Sequence, residues 1–230
     1  RRQNWFDYSA AEHMAVRQKV GMFDMSSFGK IKLIGRDAEA VLQIIAANDV
    51  AVPVGKIVYT QFLNDDGHIE ADVTVSRLGL EEFLIVTPAA TIRRDLHWIN
   101  GHIPDNAHAI AIDVTVSESV LVVMGPEARS FLQPMIPQSL ANDDFAFGTM
   151  QQIEIGHAVA RAHRVTYVGE LGWELYVSAD MSAHVFEAIA QRLNDHPIAI
   201  CGLHALASCR ISPGFCHLGH AISRAHLFLE

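Results

Sequence analysis

Two stretches of this sequence, ninety positions apart, follow one pattern, and this repetition limits the possible folds more than any other feature. The first stretch reads GRDAEAVLQ from Gly35, and the second reads GPEARSFLQ from Gly125. Each follows a strand-like run and places an acidic residue in the first helical turn, where the helix dipole stabilises negative charge. The repetition therefore predicts an internally duplicated α+β unit.

The rest of the chain is dominated by strand signals of alternating apolar and polar residues, separated by turn residues. The predicted strands cover residues 30–34, 57–63, 71–78, 83–87, 109–116, 120–124, 151–155, 158–165 and 174–177. Helices are predicted over 10–20, where Ser9 and Glu12 form a capping-box pattern, and over 89–101. We expect an α+β fold of antiparallel sheets with packed helices. Its predicted lobes are a discontinuous one, residues 1–48 and 118–230, and an inserted antiparallel-sheet one, residues 49–117.

Composition removes several classes of function. A formal charge of −9 and a pI of about 5.8 argue against a nucleic-acid partner. The apolar runs are too short to cross a membrane, and we find no Gly-rich fingerprint of a self-contained flavin, nicotinamide or ATP domain. Three cysteines in a chain of 230 residues suggest reduced thiols. With no secretion leader at the start, a cytoplasmic location is expected.

The strand around Asp72 carries a polar stripe. Alternation places Glu70, Asp72, Thr74 and Ser76 on one face, and the apolar residues between them on the other. On a solvent-facing sheet Asp72 would be an ordinary surface carboxylate. In a pocket, desolvation could adapt it to general acid or base catalysis.

The segment YVGELGWE, from Tyr167 to Glu174, combines two glycines, two aromatic residues and two carboxylates. Such a turn could present an aromatic ring and a hydrogen-bond acceptor to a flat heterocycle such as a pterin. The same residues could also form a tight turn with core aromatics. Both interpretations stay open from the residues alone.

Four motifs together resemble one family over nearly the whole chain. They read RQNWFDYSAAEHMAVRQKVGMFDMSSFGKI, VYTQFLNDDGHIEADVTVSRL, TYVGELGWELYV and ALASCRISPGFCHLGH. This set is similar to the glycine-cleavage T-protein (aminomethyltransferase) family. It is closest to the folate-binding portion of dimethylglycine and sarcosine dehydrogenases, which carry this portion behind an FAD domain. The resemblance implies the duplicated T-protein-like fold, with the family's further C-terminal β domain missing here.

The resemblance also implies roles for particular residues. Asp72 matches the catalytic aspartate, and Tyr59, Tyr167 and Glu174 match folate-contacting positions, while Arg210 could meet a folate carboxylate. In the family, N5 of tetrahydrofolate captures a one-carbon unit from an aminomethyl or iminium donor. We therefore expect tetrahydrofolate and a methylamine-type donor as ligands, and FAD only on a separate domain or subunit.

Alternatives remain at this point. One is a noncatalytic folate-binding scaffold, and another is a folate-dependent demethylase acting on sulfur or oxygen methyl groups. The chain has Leu206 and Ala207 where T-proteins usually carry Arg-Asp, and its HLGHA and RISP segments depart from the dehydrogenase pattern. The group Cys209, Cys216, His217 and His220 fits no standard zinc spacing, so no metal is expected. The scattered histidines, including His163, are given no role.

Overall fold

The computed structural model describes residues 2–192 and 198–228, and Leu193, Asn194, Asp195, His196 and Pro197 fall outside them. Six helices are described, and they are α1 Phe6–Gln18, α2 Ala38–Ile45, α3 Ile92–Gly101, α4 Ala128–Leu132, α5 Ser182–Arg192 and α6 Leu203–Ile211. The strands of the first repeat are β1 Gly21–Asp24, β2 Gly29–Ile34, β3 Ile57–Leu63, β4 Ile69–Gly79 and β5 Glu82–Thr87. Those that follow are β6 Ile110–Asp113, β7 Glu118–Met124, β8 Thr149–Ile155, β9 Ala158–Arg164, β10 Gly172–Ser178 and β11 Ala199–Cys201. The predicted α+β fold is confirmed.

Helix α1 is the element whose predicted limits were least accurate. It begins at Phe6 after the N-cap residue Trp5, whereas the capping-box pattern predicted a start at residue 10. Ser9 lies inside the helix, so it does not cap it. A Ser-x-x-Glu pattern also fits the solvent side of a helix interior, which is why it misled the prediction.

The described residues form two compact units. The first unit comprises residues up to 26 together with 116–215, and the second comprises 27–115 together with residues from 216 onward. The predicted lobes divide the chain differently, because they placed β2 and α2 in the discontinuous lobe. In the structure β2 pairs with β5 and β6, which brings β2 and α2 into the second unit.

Each unit is built on one sheet, and the two sheets share a strand order. The first runs β11-β1-β7-β10-β9-β8, and the second runs β6-β2-β5-β4-β3. Apart from the parallel pair of β1 with β11, the pairs within the described strands are antiparallel. The order matches when β7, β10, β9 and β8 are set against β2, β5, β4 and β3. The leading strand of each repeat, β1 or β6, belongs to the sheet of the other repeat.

The glycines of the repeated motif have equivalent roles. Gly35 has a φ of 135° and Gly125 has a φ of 143°, and residues other than glycine rarely adopt this backbone conformation. A Cβ on Gly35 would lie 2.0 Å from the carbonyl oxygen of His108, and one on Gly125 would lie 2.3 Å from that of Lys19. Each glycine oxygen then accepts a bond of 3.0 Å from the first helical residue, Ala38 or Ala128. These matched contacts confirm the predicted duplication.

Each sheet has one apolar face covered by helices. In the second unit α2 buries its positions i, i+3, i+4 and i+7, which form one helical stripe. Its core lies against strand residues that include Ile31, Leu33, Val73, Val75, Phe83 and Ile85. In the first unit the equivalent core includes Leu121, Val123, Phe131, Trp173, Leu175 and Val185. Because side chains alternate along a strand, the residues between these project from the opposite face, which carries Asp72 in the second unit and Glu174 in the first.

Candidate active site

Asp72 lies in the middle of the polar face of the second sheet. Its Cα is paired with that of Gln61 across β3 and β4, and the Gln61 amide donates to its Oδ1 over 2.8 Å. The hydroxyl of Tyr59, two residues before Gln61 on the same strand, donates to the same carboxylate. Register and alternation therefore bring Tyr59, Gln61 and Asp72 together in one cluster.

Desolvation dominates the electrostatics of this cluster. Burial raises the pKa of Asp72, and the bonds from Tyr59 and Gln61 and the charge of His217 oppose that rise without cancelling it. Burial and the neighbouring Asp72 carboxyl raise the pKa of Tyr59, so its phenol keeps its proton and acts as a donor. Tyr59 is nevertheless 55% exposed, so its ring can contact a ligand. The cluster is a partly buried carboxylate held by two donors beside an exposed aromatic face.

Glu70 does not accompany Asp72, because the strand register shifts between Phe62 and Leu63. The shift interrupts the alternation on β4 at this point. The Glu70 carboxylate forms an ion pair with Arg224 and accepts a bond of 3.3 Å from Asn64. The polar stripe predicted from the sequence is thus broken at Glu70, and Asp72 is the carboxylate that joins Tyr59.

Residues 216–228 return to the second unit beside this cluster. Leu227 forms a bridge with His68, and the amide of Ile69 donates to the carbonyl of His226 over 3.3 Å. At the start of the same segment, His217 is close enough to lower the pKa of Asp72 by its charge. The sequence shows His217 only within a Cys/His group for which no metal is expected, whereas its effect on the pKa of Asp72 places it near the candidate catalytic carboxylate.

Glu174 lies on β10 in the first unit, on the sheet face opposite the helices. It is partly buried, and the hydroxyl of Tyr176 donates to its Oε2 over 2.8 Å. Burial raises the pKa of Glu174 to about 7, and the bond from Tyr176 opposes that rise. Its donor is a neutral phenol, so the carboxylate is desolvated with only modest compensation. The Glu174 carboxylate therefore has acceptor capacity left for further hydrogen-bond donors.

Tyr176 is surrounded by further polar side chains of β9. The imidazole of His163 lies 4.2 Å from the Tyr176 ring, measured between centroids, and the guanidinium of Arg161 lies 5.4 Å from it. Arg161 in turn forms an ion pair of 2.7 Å with Glu118. The first unit thus contains a second polar cluster, which we call the Glu174 cluster and define as Glu174, Tyr176, His163, Arg161 and Glu118.

Tyr167 lies in the turn between β9 and β10, and this turn is fixed by Arg17 of α1. The Arg17 guanidinium donates to the carbonyl of Val168 over 2.6 Å, to Glu170 over 2.8 Å and to the carbonyl of Cys209 over 2.6 Å. Glu170 is therefore engaged in an ion pair that holds the turn. These contacts hold in place the turn that carries Tyr167.

Arg210 is 7% exposed at the end of α6, and its Nη1 donates to the carbonyl of Phe215 over 2.7 Å. This contact closes the turn that follows the helix, so the structure gives Arg210 a role in the fold. Its predicted contact with folate stays a prediction.

The five residues predicted as a site divide between the two units. Tyr59 and Asp72 are brought together in the second unit, whereas Tyr167, Glu174 and Arg210 belong to the first. Sequence reasoning missed Gln61, Tyr176, His163 and His217. Two of these could have been found by alternation, since Gln61 follows Tyr59 by two positions and Tyr176 follows Glu174 by two.

Two further findings concern the chain as a whole. The thiols of Cys201 and Cys209 are buried, and burial raises the pKa of Cys201 to about 12, so this thiol is unreactive at neutral pH. Among the described residues, no helix combines the length and apolar character needed to cross a bilayer.

The geometry defines a class of protein: a duplicated α+β fold in which the sheet face opposite the helix-covered core carries a desolvated carboxylate, Asp72 in one unit and Glu174 in the other. The model of the GCVT N-terminal domain matches residues 1–230, and the chain belongs to that family.

Relatives of known description agree with this membership. The chain is 41% identical over 221 residues to 4-methylaminobutanoate oxidase (formaldehyde-forming) of Paenarthrobacter nicotinovorans, covering 96% of the chain and 27% of the oxidase. It is 35% identical over 216 residues to mitochondrial dimethylglycine dehydrogenase of Mus musculus, covering 94% of the chain and 25% of the dehydrogenase. The chain thus spans about a quarter of the length of these relatives.

The same fold occurs in a solved structure. The glycine cleavage system aminomethyltransferase T from Bartonella henselae matches with a TM-score of 0.83 and 23% identity, covering 95% of this chain and 58% of that one. At this level of identity the similarity establishes the fold. The resemblance inferred from the four sequence motifs is confirmed.

Proposed function

We propose that this chain is a tetrahydrofolate-binding, one-carbon-transfer module of an FAD-linked amine dehydrogenase of the sarcosine or dimethylglycine type. The observation that carries the proposal is the presence of one desolvated carboxylate in each unit of a member of the GCVT family. These carboxylates are Asp72 and Glu174, and they differ in their hydrogen-bond donors. The similarity to an amine oxidase and to a dimethylglycine dehydrogenase supports the choice of donor class.

The Glu174 cluster fits the recognition edge of a pterin. A carboxylate can accept two hydrogen bonds in parallel, and a pterin presents a ring N–H beside an amino group. The described hydrogen bond to Glu174 comes from a neutral phenol, so donors on a ligand would stabilise the ionised form of its carboxylate. Tyr167, Tyr59 and Arg210 are the further residues that we propose to hold the folate, the tyrosines by contact with its rings.

Tetrahydrofolate, when bound, supplies a nucleophilic nitrogen that takes up the one-carbon unit. Asp72 is proposed to accept the proton that this capture releases and to stabilise the cationic donor. Its raised pKa makes it a stronger proton acceptor than an ordinary surface aspartate. Tyr59 and Gln61 fix the orientation of the carboxylate through their two hydrogen bonds.

The oxidation that generates the donor is assigned to a separate FAD domain or subunit. The amine-oxidising relatives are about four times as long as the stretch that matches this chain. We propose that the amine is oxidised on that part, and that this chain captures the one-carbon unit before it escapes as formaldehyde. Its cytoplasmic location stays a prediction.

The proposal is tested on the full-length protein that carries this chain. Tetrahydrofolate is titrated calorimetrically into the wild type, into Asp72→Asn and into Asp105→Asn, an exposed aspartate of the same unit that serves as control. Free formaldehyde is then measured during turnover of sarcosine or dimethylglycine with and without tetrahydrofolate. We expect all three proteins to bind folate, and tetrahydrofolate to suppress formaldehyde release in the wild type and the control but not in Asp72→Asn.

Two outcomes would contradict the proposal. Lack of folate binding by the wild type would remove the folate function as a whole. Equal suppression of formaldehyde by Asp72→Asn and the wild type would remove Asp72 as the catalytic group, and would favour a folate-binding scaffold in which the chain itself performs no chemistry.

A further inference from the structure

We propose that His163 is a specificity-determining contact of the folate site, and that its Nε2–H donates to the pterin carbonyl next to the ring N–H that Glu174 accepts. This inference rests on the proposed function, because it names a further residue of the same site. Nothing in the sequence motifs assigns His163 a role, and its position in the sheet is what suggests one.

The register of the first sheet places His163 beside Glu174. Their Cα atoms are directly paired across β9 and β10, so both side chains project from the same face. Directly opposed residues of antiparallel strands have Cβ atoms about 5 Å apart. The contact of the His163 ring with Tyr176, whose hydroxyl binds Glu174, confirms that the three side chains share one cluster.

The imidazole of His163 is buried with one nitrogen unused. His163 is 1% exposed, and its Nε2 lacks a hydrogen-bond partner within the described residues. A buried polar atom without a partner costs free energy, so such atoms are rare in the interior of folded proteins. Here the residue is paired in the strand register with Glu174, whose carboxylate accepts a hydrogen bond from Tyr176 and has acceptor capacity left. One edge of a ligand could provide an acceptor for His163 Nε2 and donors for the Glu174 carboxylate.

Burial, together with a neighbouring charge, keeps His163 neutral. Burial and the charge of Arg161 lower the pKa of His163 well below its ordinary value, and the Arg161 charge is fixed by its ion pair with Glu118. Tyr176 and Glu174 complete the set of titratable groups in the cluster. A neutral imidazole carries one N–H, and the tautomer with the proton on Nε2 presents a donor beside the acceptor of Glu174.

An acceptor and a donor side by side match the pterin edge. A 2-amino-4-oxopteridine presents two donors, the amino group and the ring N–H, followed by the carbonyl acceptor. Glu174 would take the two donors and His163 the carbonyl. A neutral 2,4-diaminopteridine replaces the carbonyl with an amino group and carries no proton on the adjacent ring nitrogen. It would therefore place a donor against His163 and an acceptor against Glu174. The pair therefore explains how the chain would select the oxo form of the ring.

Two variants distinguish the hydrogen bond of the His163 nitrogen from the packing of its ring. His163→Phe keeps a planar ring against Tyr176 and removes the donor, whereas His163→Gln restores an amide donor near the position of Nε2. His97→Gln, at an exposed position of α3, is the control. Tetrahydrofolate and its 2,4-diamino analogue are titrated into the full-length wild type and each variant. In parallel, the ¹⁵N signal of His163 Nε2 is followed in the wild type as tetrahydrofolate is added.

We expect His163→Phe to weaken tetrahydrofolate binding about tenfold, the effect of one buried hydrogen bond. We also expect it to narrow the preference for the oxo over the diamino ring by a similar factor. His163→Gln should recover most of the affinity, His97→Gln should match the wild type, and the Nε2 signal should shift on binding.

The inference and the proposed function fail in different ways. If the wild type does not bind tetrahydrofolate, the proposed function falls and the inference falls with it. If the wild type binds and His163→Phe binds equally well with the same ring preference, only the inference is overturned. Should His163→Phe fail to fold, the wild-type ¹⁵N experiment decides, and an unchanged Nε2 signal at saturating ligand would overturn the inference.

Discussion

The two sheets share a strand order and a glycine-dependent turn, yet the faces opposite their helix-covered cores differ. In the second unit the face carries Asp72 with two hydrogen-bond donors and an exposed tyrosine. In the first unit it carries the Glu174 cluster, which includes a buried imidazole whose Nε2 has no hydrogen-bond partner among the described residues. The helix-covered faces, by contrast, are apolar in both units.

This difference shows how a duplicated scaffold can separate two tasks. Both carboxylates have raised pKa values because they are desolvated, but Asp72 receives two donors from its own strands and Glu174 receives one. A carboxylate already oriented by the protein suits proton transfer, whereas one with spare acceptor capacity suits recognition of a ligand with donors. The proposed function therefore places chemistry in the second unit and recognition in the first.

The largest predicted effect is on the free energy of unfolding, at the two motif glycines that the units share. Gly35→Ala and Gly125→Ala should each lower the free energy of unfolding by about 3 kcal/mol or more, because each combines a strained φ with a clash against a carbonyl oxygen. Gly101→Ala, at the end of α3 with open space around it, is the control and should not destabilise. Urea denaturation measures all three. A large loss for one motif glycine and none for the other would contradict their equivalence.

The next effect tests recognition in the first unit. Glu174→Gln should weaken tetrahydrofolate binding about a hundredfold, since hydrogen bonds to a charged acceptor contribute roughly 1.5–3 kcal/mol. Glu187→Gln, on the exposed side of α5, should leave the affinity unchanged. Calorimetric titration provides the comparison. An unchanged dissociation constant in Glu174→Gln would remove the first unit from pterin recognition.

The pH dependence of binding follows from the raised pKa of Glu174. The ionised carboxylate is the form that accepts ligand donors, so affinity should be constant above pH 7 and fall about tenfold per pH unit below it. In the absence of ligand the sign is reversed: because folding raises the pKa of Glu174 from 4.5 to about 7, this carboxyl makes the folded chain less stable as pH rises between these values. Titrations from pH 5.5 to 8.5 test the binding slope, which Glu174→Gln should lack.

The smallest effect concerns the orientation of Asp72. Tyr59→Phe removes a hydrogen bond that orients the Asp72 carboxyl and holds its pKa down. The pKa should therefore rise, and the lost orientation should slow one-carbon capture about fivefold. Tyr8→Phe, at a tyrosine that is 76% exposed, is the control. The carboxyl ¹³C signal of Asp72, followed against pH, measures the shift directly. A pKa of Asp72 that falls in Tyr59→Phe would show that the tyrosine is not its donor.

Much of the fold could be predicted from the sequence because its signals are local. Alternation located most of the strands, and the two glycine motifs predicted the duplication. The exchange of β1 and β6 between repeats could not be predicted, because strand pairing between distant segments leaves no trace in local periodicity. The start of α1 was wrong for a related reason, since a capping pattern fits more than one helical position.

The candidate site was predicted less completely. Asp72 and Glu174 were found through the resemblance, since an isolated carboxylate on a strand is usually a surface residue. His163 was missed because a single histidine between alanine and arginine gives no periodic signal, and only the register opposite Glu174 reveals its place. The break in the polar stripe at Glu70 arises from a register shift, which the alternation of residue types does not show.

The separation of tasks between the units is tested most directly by measuring binding and capture in the same two variants. In the full-length protein, tetrahydrofolate affinity and tetrahydrofolate-dependent suppression of formaldehyde release are determined for Asp72→Asn and Glu174→Gln. We predict that Asp72→Asn binds folate with nearly wild-type affinity and captures the one-carbon unit about a hundredfold more slowly. Glu174→Gln should bind weakly and regain near wild-type capture at saturating folate. Equal losses of binding and capture in both variants would contradict the account.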